Sequence, residues 1–326
     1  MKRLEDYSDE ILKCSKCGMC QAVCPLYKLT GNDCAVSKGK FVMLDGVVKG
    51  DLSLNKNINK YLELCLKCGK CTDFCPSGID VCEIFRAAKH EYIRNSKEGL
   101  FVDTVFSRQI FDNLIRIFSM FIRFKQVKSD KPIKKLMFFR GCANNLMPKS
   151  NKVIEKIFAN LDYEIVTRDF KCCGVPFLSS GNLERAEEVK EYNTKLINNS
   201  DYDCVVTDCA SCYEALNGYE NLNKKVVTFI DFFAGEDIKF EFKKPLKVTF
   251  HKPCHLKNYD KVKKVLENCK NVEYVEMKDF DGCCGFSGQF AITNRKYSLM
   301  LSKEKAKNAI NTKADMILTA CPACEL

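Results

Sequence analysis

Residues 14–25 read CSKCGMCQAVCP and residues 65–76 read CLKCGKCTDFCP. Both are C-x2-C-x2-C-x3-C-P, the spacing with which small bacterial carriers ligate [4Fe–4S] cubanes. Three cysteines at two-residue intervals wrap one loop around a cluster corner, aiming thiolates and backbone N–H groups at the sulfurs. The fourth cysteine, followed by proline, leaves the loop and ligates the other cluster. Cys14, Cys17, Cys20 and Cys75 are therefore assigned to one cubane, and Cys65, Cys68, Cys71 and Cys24 to the other. Zinc is the competing reading, but it uses paired C-x2-C units and has no need of a third cysteine or of the proline.

A second set of cysteines repeats. Cys142, Cys172, Cys173, Cys209 and Cys212 are followed by Cys254, Cys283, Cys284, Cys321 and Cys324, at offsets of 112, 111, 111, 112 and 112 residues. The flanks match as well: VVTDCASC against MILTACPAC, and KCCG against GCCG. An internal duplication of about 112 residues follows. Five thiols exceed what one zinc ion takes. A cluster is favoured at each quintet, and spacing alone does not say which type.

The elements that must position these residues differ between the two parts. The 40 residues between Cys24 and Cys65 carry helical patterns (KGKFVMLDGVVKG and NINKYLELC), so the first part reads as a helical two-cluster domain. In the repeat, strand-like runs precede the cysteines: LMFFR, YEIVTR and DCVVTD in the first copy, LKVTF, VEYVEM and MILT in the second. Helical patterns lie between them, at PKSNKVIEKIFANL, NLERAEEVKEYNTKLIN, near 260–268 and over 289–310. Alternating strand and helix implies a parallel sheet with right-handed crossovers, and the strands' carboxyl ends then gather the cysteines at one rim. The expected class is α+β overall: a helical ferredoxin-like domain (1–95), a helical linker (96–134) and duplicated α/β, Rossmann-like cysteine-rich domains (135–240 and 241–326). The second copy has no room to match the YEALNGYE and KKVVTFIDFF segments that follow Cys212, which leaves a sheet edge for a further strand or a partner.

Composition sets outer bounds. The chain has 326 residues, 46% hydrophobic and 29% charged, with 22 cysteines. MKRLEDYSDEILKC carries no apolar signal-peptide region, and no 18-residue apolar run occurs. So many cysteines in a long chain without such a signal read as metal ligation in a reducing cytoplasm. The formal charge of +10 counts each thiol as neutral; two cubanes with their thiolates, at about −2 each, would cancel part of it. The remaining excess can guide an acidic partner. No basic motif with interleaved aromatics suggests nucleic-acid binding.

Two copies of Cys…Cys-Cys-Gly…Cys-x-x-Cys joined to a two-cluster domain resemble the iron–sulfur subunits of glycolate oxidase and heterodisulfide reductase. HKPCHL (251–256) is similar to the family's His-Asp-Pro-Cys-His-Leu, with Lys252 where aspartate is common, and CCGFSGQF (283–290) to its Cys-Cys-Gly-x-x-Gly segment. The resemblance implies one or two additional, non-cubane [4Fe–4S] clusters in the cysteine-rich CCG repeats, held by the two quintets. It implies an electron relay from an FAD-containing subunit that oxidises a 2-hydroxy acid such as glycolate or lactate. An electron-transfer flavoprotein or a quinone-linked acceptor could complete the path, with the protein cytoplasmic or peripheral on the inner face of the membrane. The alternative is a catalytic reductase that cleaves a disulfide at a non-cubane cluster. No G-x-G-x-x-G stands between strand and helix, so any flavin is expected on a partner.

Other residues carry lesser expectations. Cys34, Cys82, Cys204 and Cys269 read as structural thiols, Cys82 as a spare thiol beside a cluster. His251 and His255 flank Cys254 and are the catalytic candidates, for proton delivery; a hydrogen bond that orients the site is the preferred reading. His90 is given no role. Residues 100–124 show an amphipathic stripe that suits a core or subunit-contact helix better than an interfacial one.

Overall fold

The computed structural model describes residues 3–96, 125–128, 132–144 and 147–325. The amphipathic stretch 100–124 and most of the expected linker lie outside them. Among the described residues no helix is long and apolar enough to cross a membrane. The chain divides into two units, one made of Met1–Ser107, Pro176–Leu183 and Gly282–Lys307, the other of Arg108–Val175, Glu184–Asp281 and Asn308–Leu326.

The first unit is helical. Its N-terminal part holds α1 (Ser8–Leu12), α2 (Met19–Val23), α3 (Pro25–Thr30), α4 (Ser37–Val48), α5 (Lys56–Glu63), α6 (Lys70–Asp73) and α7 (Val81–Asn95). Pro25 opens α3, where a missing N–H costs nothing. Asn55 and Asp80 cap α5 and α7 by accepting backbone N–H bonds. Leu4, Ile11, Phe41, Leu44, Leu62 and Phe85 form the core, against which Cys14, Cys65, Cys71 and Cys75 pack. The segment from Gly282 adds α14 (Phe290–Thr293) and much of α15 (Arg295–Ile310). The single helix expected over 289–310 is broken at Asn294, whose backbone leaves the helical region (φ −123°, ψ 39°) while its amide donates to the Glu63 carbonyl.

The second unit contains two parallel sheets. The first has the order β2-β1-β3-β4, with β1 (Lys134–Phe138), β2 (Tyr163–Val166), β3 (Cys204–Thr207) and β4 (Lys225–Thr228). The second has the order β6-β5-β7, with β5 (Phe240–His251), β6 (Cys269–Tyr274) and β7 (Met316–Thr319). Strands β5, β6 and β7 thus repeat the places of β1, β2 and β3, and β4 has no counterpart among the described residues. Crossover helices are α8 (Pro148–Ala159) and α10 (Leu183–Asn198) in the first copy and α13 (Tyr259–Glu267) in the second, whereas α9 (Val175–Ser180), also between β2 and β3, falls almost wholly in the first unit. Helices α11 (Ala210–Asn217), α12 (Phe229–Gly235) and α16 (Pro322–Glu325) follow β3, β4 and β7. Phe158, Tyr163, Phe229 and Phe232 fill the first sheet's core as a connected aromatic cluster. Strand β5 starts six residues before the expected LKVTF run because Phe240 and Glu241 pair with Cys269 and Lys270 ahead of an irregularity in register. That early pairing also moves β6 three residues toward the N-terminus of VEYVEM.

Candidate metal centres

In the first unit the two cysteine runs have the same backbone. Lys16 and Lys67 are left-handed (φ 57° and 54°), as are Gly18 and Gly69 (φ 85° and 75°), and α2 and α6 follow. Left-handed residues on either side of one thiol curl the chain so that successive N–H groups face inward, a nest that suits an anionic cluster. The Met19 N–H, followed by the Ser15 side chain, holds the Cys17 thiol below its ordinary range. Burial raises Cys24, against donation from the Tyr27 N–H. Cys24 feels the charge of Cys65, and Cys71 feels both, while Cys20 feels Cys14. Burial alone would raise Cys65, but the ammonium groups of Lys67, Lys40 and Lys89 outweigh it and lower the thiol. Cys82 is buried beside Cys65, and burial pushes it up to about 11.

In the second unit, strand ends deliver the repeat cysteines as parallel topology requires. Cys142 follows β1, Cys172 and Cys173 follow β2, and Cys209 opens α11, which carries Cys212. Their thiols form a continuous hydrogen-bonded chain. Cys172 Sγ lies 3.8 Å from Cys142 Sγ. Cys173 accepts from Cys172 and Cys212, and with the Val175 N–H this holds it well below its ordinary range. Cys212 also meets Cys209, whose Sγ lies 3.9 Å from Cys321 Sγ. Cys321 accepts from Cys209 and Cys324 and is likewise depressed. Thus one thiol in each copy is depressed, Cys173 of the Cys-Cys pair in the first and Cys321 of the C-x2-C pair in the second. The Ala210 N–H donates to the Ala320 carbonyl at 3.1 Å, which ties the two sheets' cysteine edges together.

Of the second quintet, Cys254, Cys321 and Cys324 belong to the second unit, and Cys283 and Cys284 to the first. His251 is 4% exposed and neither ring nitrogen has a hydrogen-bond partner among the described residues; one of them lies within 4.8 Å of Cys324 Sγ. His255 Nδ1 is 2.9 Å from Ser211 Oγ. His90 is buried in the first unit, with Nδ1 2.9 Å from the Gly181 carbonyl. Of the remaining thiols, Cys34 sits in a short turn, Cys204 at the edge of the aromatic core, and Cys269 donates to the Val265 carbonyl.

Several supporting residues carry no motif and escape a reading by spacing. Asn193, fully buried on α10 between Val189 and Ile197, clamps the KCC backbone from both sides: it accepts from the Lys171 N–H and donates to the Lys171 and Cys172 carbonyls. An asparagine on an otherwise apolar stripe was the available signal. The Tyr219 hydroxyl donates to the Cys173 carbonyl at 3.2 Å. Asn144 accepts from the Gly141 N–H and donates to Asp208, a carboxyl pushed up to about 7 by burial.

The donor set fits iron–sulfur clusters. All twenty-two cysteines are outside disulfides, the gathered donors are thiols rather than carboxylates, and backbone N–H groups point at them, as in the 3.3 Å bond from Gly285 to Cys283 Sγ. Known families match the same segments: a 4Fe-4S dicluster domain over residues 10–79, and a cysteine-rich domain over 136–217 and again over 248–326. The chain belongs to the family of iron–sulfur proteins that join these domains. Within this family the chain is 24% identical to a probable glycolate oxidase iron-sulfur subunit of Bacillus subtilis, over 97% of this chain and 88% of that one. It is also 24% identical to a subunit of the dihydromethanophenazine:CoB–CoM heterodisulfide reductase of Methanosarcina acetivorans, with the same coverages. A crystal structure of a hypothetical protein from Helicobacter pylori shares the fold, with a TM-score of 0.54 and 11% identity over 98% of this chain and 68% of that one.

Proposed function

We propose that this chain is the electron-relay subunit of a multi-subunit oxidoreductase, taking electrons from an FAD-containing partner that oxidises glycolate, lactate or a similar 2-hydroxy acid. The observation that carries the reading is the unbroken run of thiols from Cys142 to Cys324, which sets the first-copy quintet against the second copy's C-x2-C pair. When bound, a [4Fe–4S] cluster takes up and releases single electrons. Cys14, Cys17, Cys20 and Cys75 would hold one cubane, and Cys65, Cys68, Cys71 and Cys24 the other. The electrostatic proximity of Cys24 to Cys65 supports that crossed pairing. The two quintets would hold the CCG-type clusters. The nests around both runs and the clamps on Cys172 and Cys173 fix the ligands, so little rearrangement accompanies electron transfer. Substrate chemistry then belongs to the flavoprotein, and the acceptor is an electron-transfer flavoprotein or a quinone-linked protein at the membrane's inner face.

A disulfide-cleaving reductase is the second reading. It is favoured by His251, buried next to Cys324 and without a hydrogen-bond partner among the described residues, where a proton could be delivered to a departing thiolate. Anaerobic purification together with the product of the neighbouring gene separates the two: a co-purifying flavoprotein supports the relay. About sixteen irons per chain are expected if all four sites are four-iron clusters, whereas about eight would leave the repeats without them.

A further inference from the structure

The two cysteine runs share a backbone but not a charge environment. In the first, Lys16 is partly exposed and its ammonium is 2.8 Å from the Asp45 carboxylate, so its charge is answered locally. In the second, the matching Lys67 is 8% exposed, and its Nζ donates to the Leu62 carbonyl at 3.3 Å. Lys40 goes further. It is 1% exposed, and its Nζ donates to the carbonyls of Ala35 (2.8 Å) and Leu64 (2.7 Å). Among the described residues neither Lys40 nor Lys67 has a carboxylate partner. A buried, unanswered ammonium is costly unless negative charge stands nearby. For Lys40 burial, and after it the neighbouring Lys67 ammonium, lower the pKa, and the groups that oppose this are the thiols of Cys65, Cys24 and Cys71, three of the four sulfurs assigned to one cluster. Lys89, also buried, has Glu63 at 4.0 Å and is therefore partly answered.

We propose that Lys40, with Lys67, is the built-in countercharge of the cluster held by Cys65, Cys68, Cys71 and Cys24, and makes it the higher-potential member of the ferredoxin pair. Uptake of one electron takes a cubane and its thiolates from about −2 to about −3, with no bond broken and no proton required. A fixed positive charge in a low-dielectric setting favours the more negative state. The other cluster has no such buried ammonium: Lys16 is solvent-exposed and shares the Asp45 carboxylate with the equally exposed Lys49, also at 2.8 Å, so water screens what charge remains. An electron entering the module therefore dwells on the Cys65 side.

The proposal rests on the two-cluster reading, and the test separates the two. Full-length chain, purified anaerobically, is titrated with a reductant while each ferredoxin-type signal is followed by electron paramagnetic resonance. Lys40→Met should move only the higher-potential signal, to more negative values, and Lys40→Arg should restore it. Asp45→Asn, which removes the carboxylate shared by Lys16 and Lys49, should raise only the lower-potential signal and narrow the gap. The proposal is overturned if both signals keep their potentials in these variants, or if Lys40→Met moves the lower-potential signal. Should Lys40→Met fail to assemble, Asp45→Asn decides alone: an unmoved lower signal overturns the proposal. A wild-type chain with a single ferredoxin-type signal would instead contradict the two-cluster reading itself.

Discussion

Cys209 Sγ stands 3.9 Å from Cys321 Sγ, so the C-x2-C pair of one copy touches its repeat in the other. The duplication therefore does more than double a binding motif. Because β3 and β7 both run parallel to their neighbours and end at the same edge, α11 and α16 start side by side, and the Ala210–Ala320 backbone bond fixes their spacing. Clusters held by the two pairs would abut, as a conducting path requires.

Each quintet should be separable from the ferredoxin module. Cys173→Ala removes the thiolate that Cys172, Cys212 and Val175 all serve, and Cys284→Ala removes a second-copy thiol. Each variant should lose about four of sixteen irons and one repeat-type resonance, leaving the ferredoxin resonances intact. Iron analysis with low-temperature spectra reads both.

Gly141→Ala should damage the first quintet without altering any thiol. A Cβ at Gly141 would stand 2.7 Å from Cys212 Sγ, too close for either atom to stay. The overlap costs about 1–3 kcal/mol and displaces Cys212. Loss of the first repeat signal, with iron falling by about a quarter, is the expected result.

A His251 ring nitrogen lies within 4.8 Å of Cys324 Sγ, and neither ring nitrogen is hydrogen-bonded among the described residues. If it orients and polarises a sulfur, His251→Leu should leave iron content unchanged and move the second repeat signal to lower potential. If it delivers protons instead, potential stays fixed and only turnover on a disulfide falls.

Glu236 tests the scaffold. Its carboxylate accepts from Lys134 on β1 and from the Tyr163 hydroxyl on β2 at 3.0 Å, and these bonds, Lys134 first, hold it below the ordinary range. A depressed carboxyl contributes stability above its ordinary pKa and loses it as pH falls through the lowered value. Glu236→Gln should thus cost about 0.5–1 kcal/mol at neutral pH, given the partly exposed lysine. The difference should vanish in acid, as denaturant unfolding at two pH values would register.

Much of this was legible in sequence because ligand spacing and element period are local properties. MILT became β7 over its full span, and α10 differs from its pattern by one residue. The glycines after both Cys-Cys pairs are left-handed (φ 89° and 86°), and each crosses a helix at a corresponding place, Ala186 in one copy and Ser298 in the other. What could not be read depends on contacts between distant segments. Nothing near Lys40 in sequence says that its ammonium ends between Ala35 and Leu64 among three thiols. Likewise, the segment carrying Cys283 and Cys284 packs into the helical unit, where Phe290 and Leu301 join Leu26 and Leu66 in one core. A repeat offset cannot foretell that. The ferredoxin runs were the clearest signal since each places four cysteines and a proline within twelve residues.

The relay itself is tested most directly by mixing the anaerobically purified chain with its flavoprotein partner and following the iron–sulfur absorbance after adding glycolate or lactate. Rapid bleaching is expected that needs the flavoprotein and is blocked when the clusters are prevented by Cys65→Ala and Cys14→Ala. Disulfide reduction by the isolated chain, with no bleaching by either hydroxy acid in the flavoprotein's presence, would contradict it.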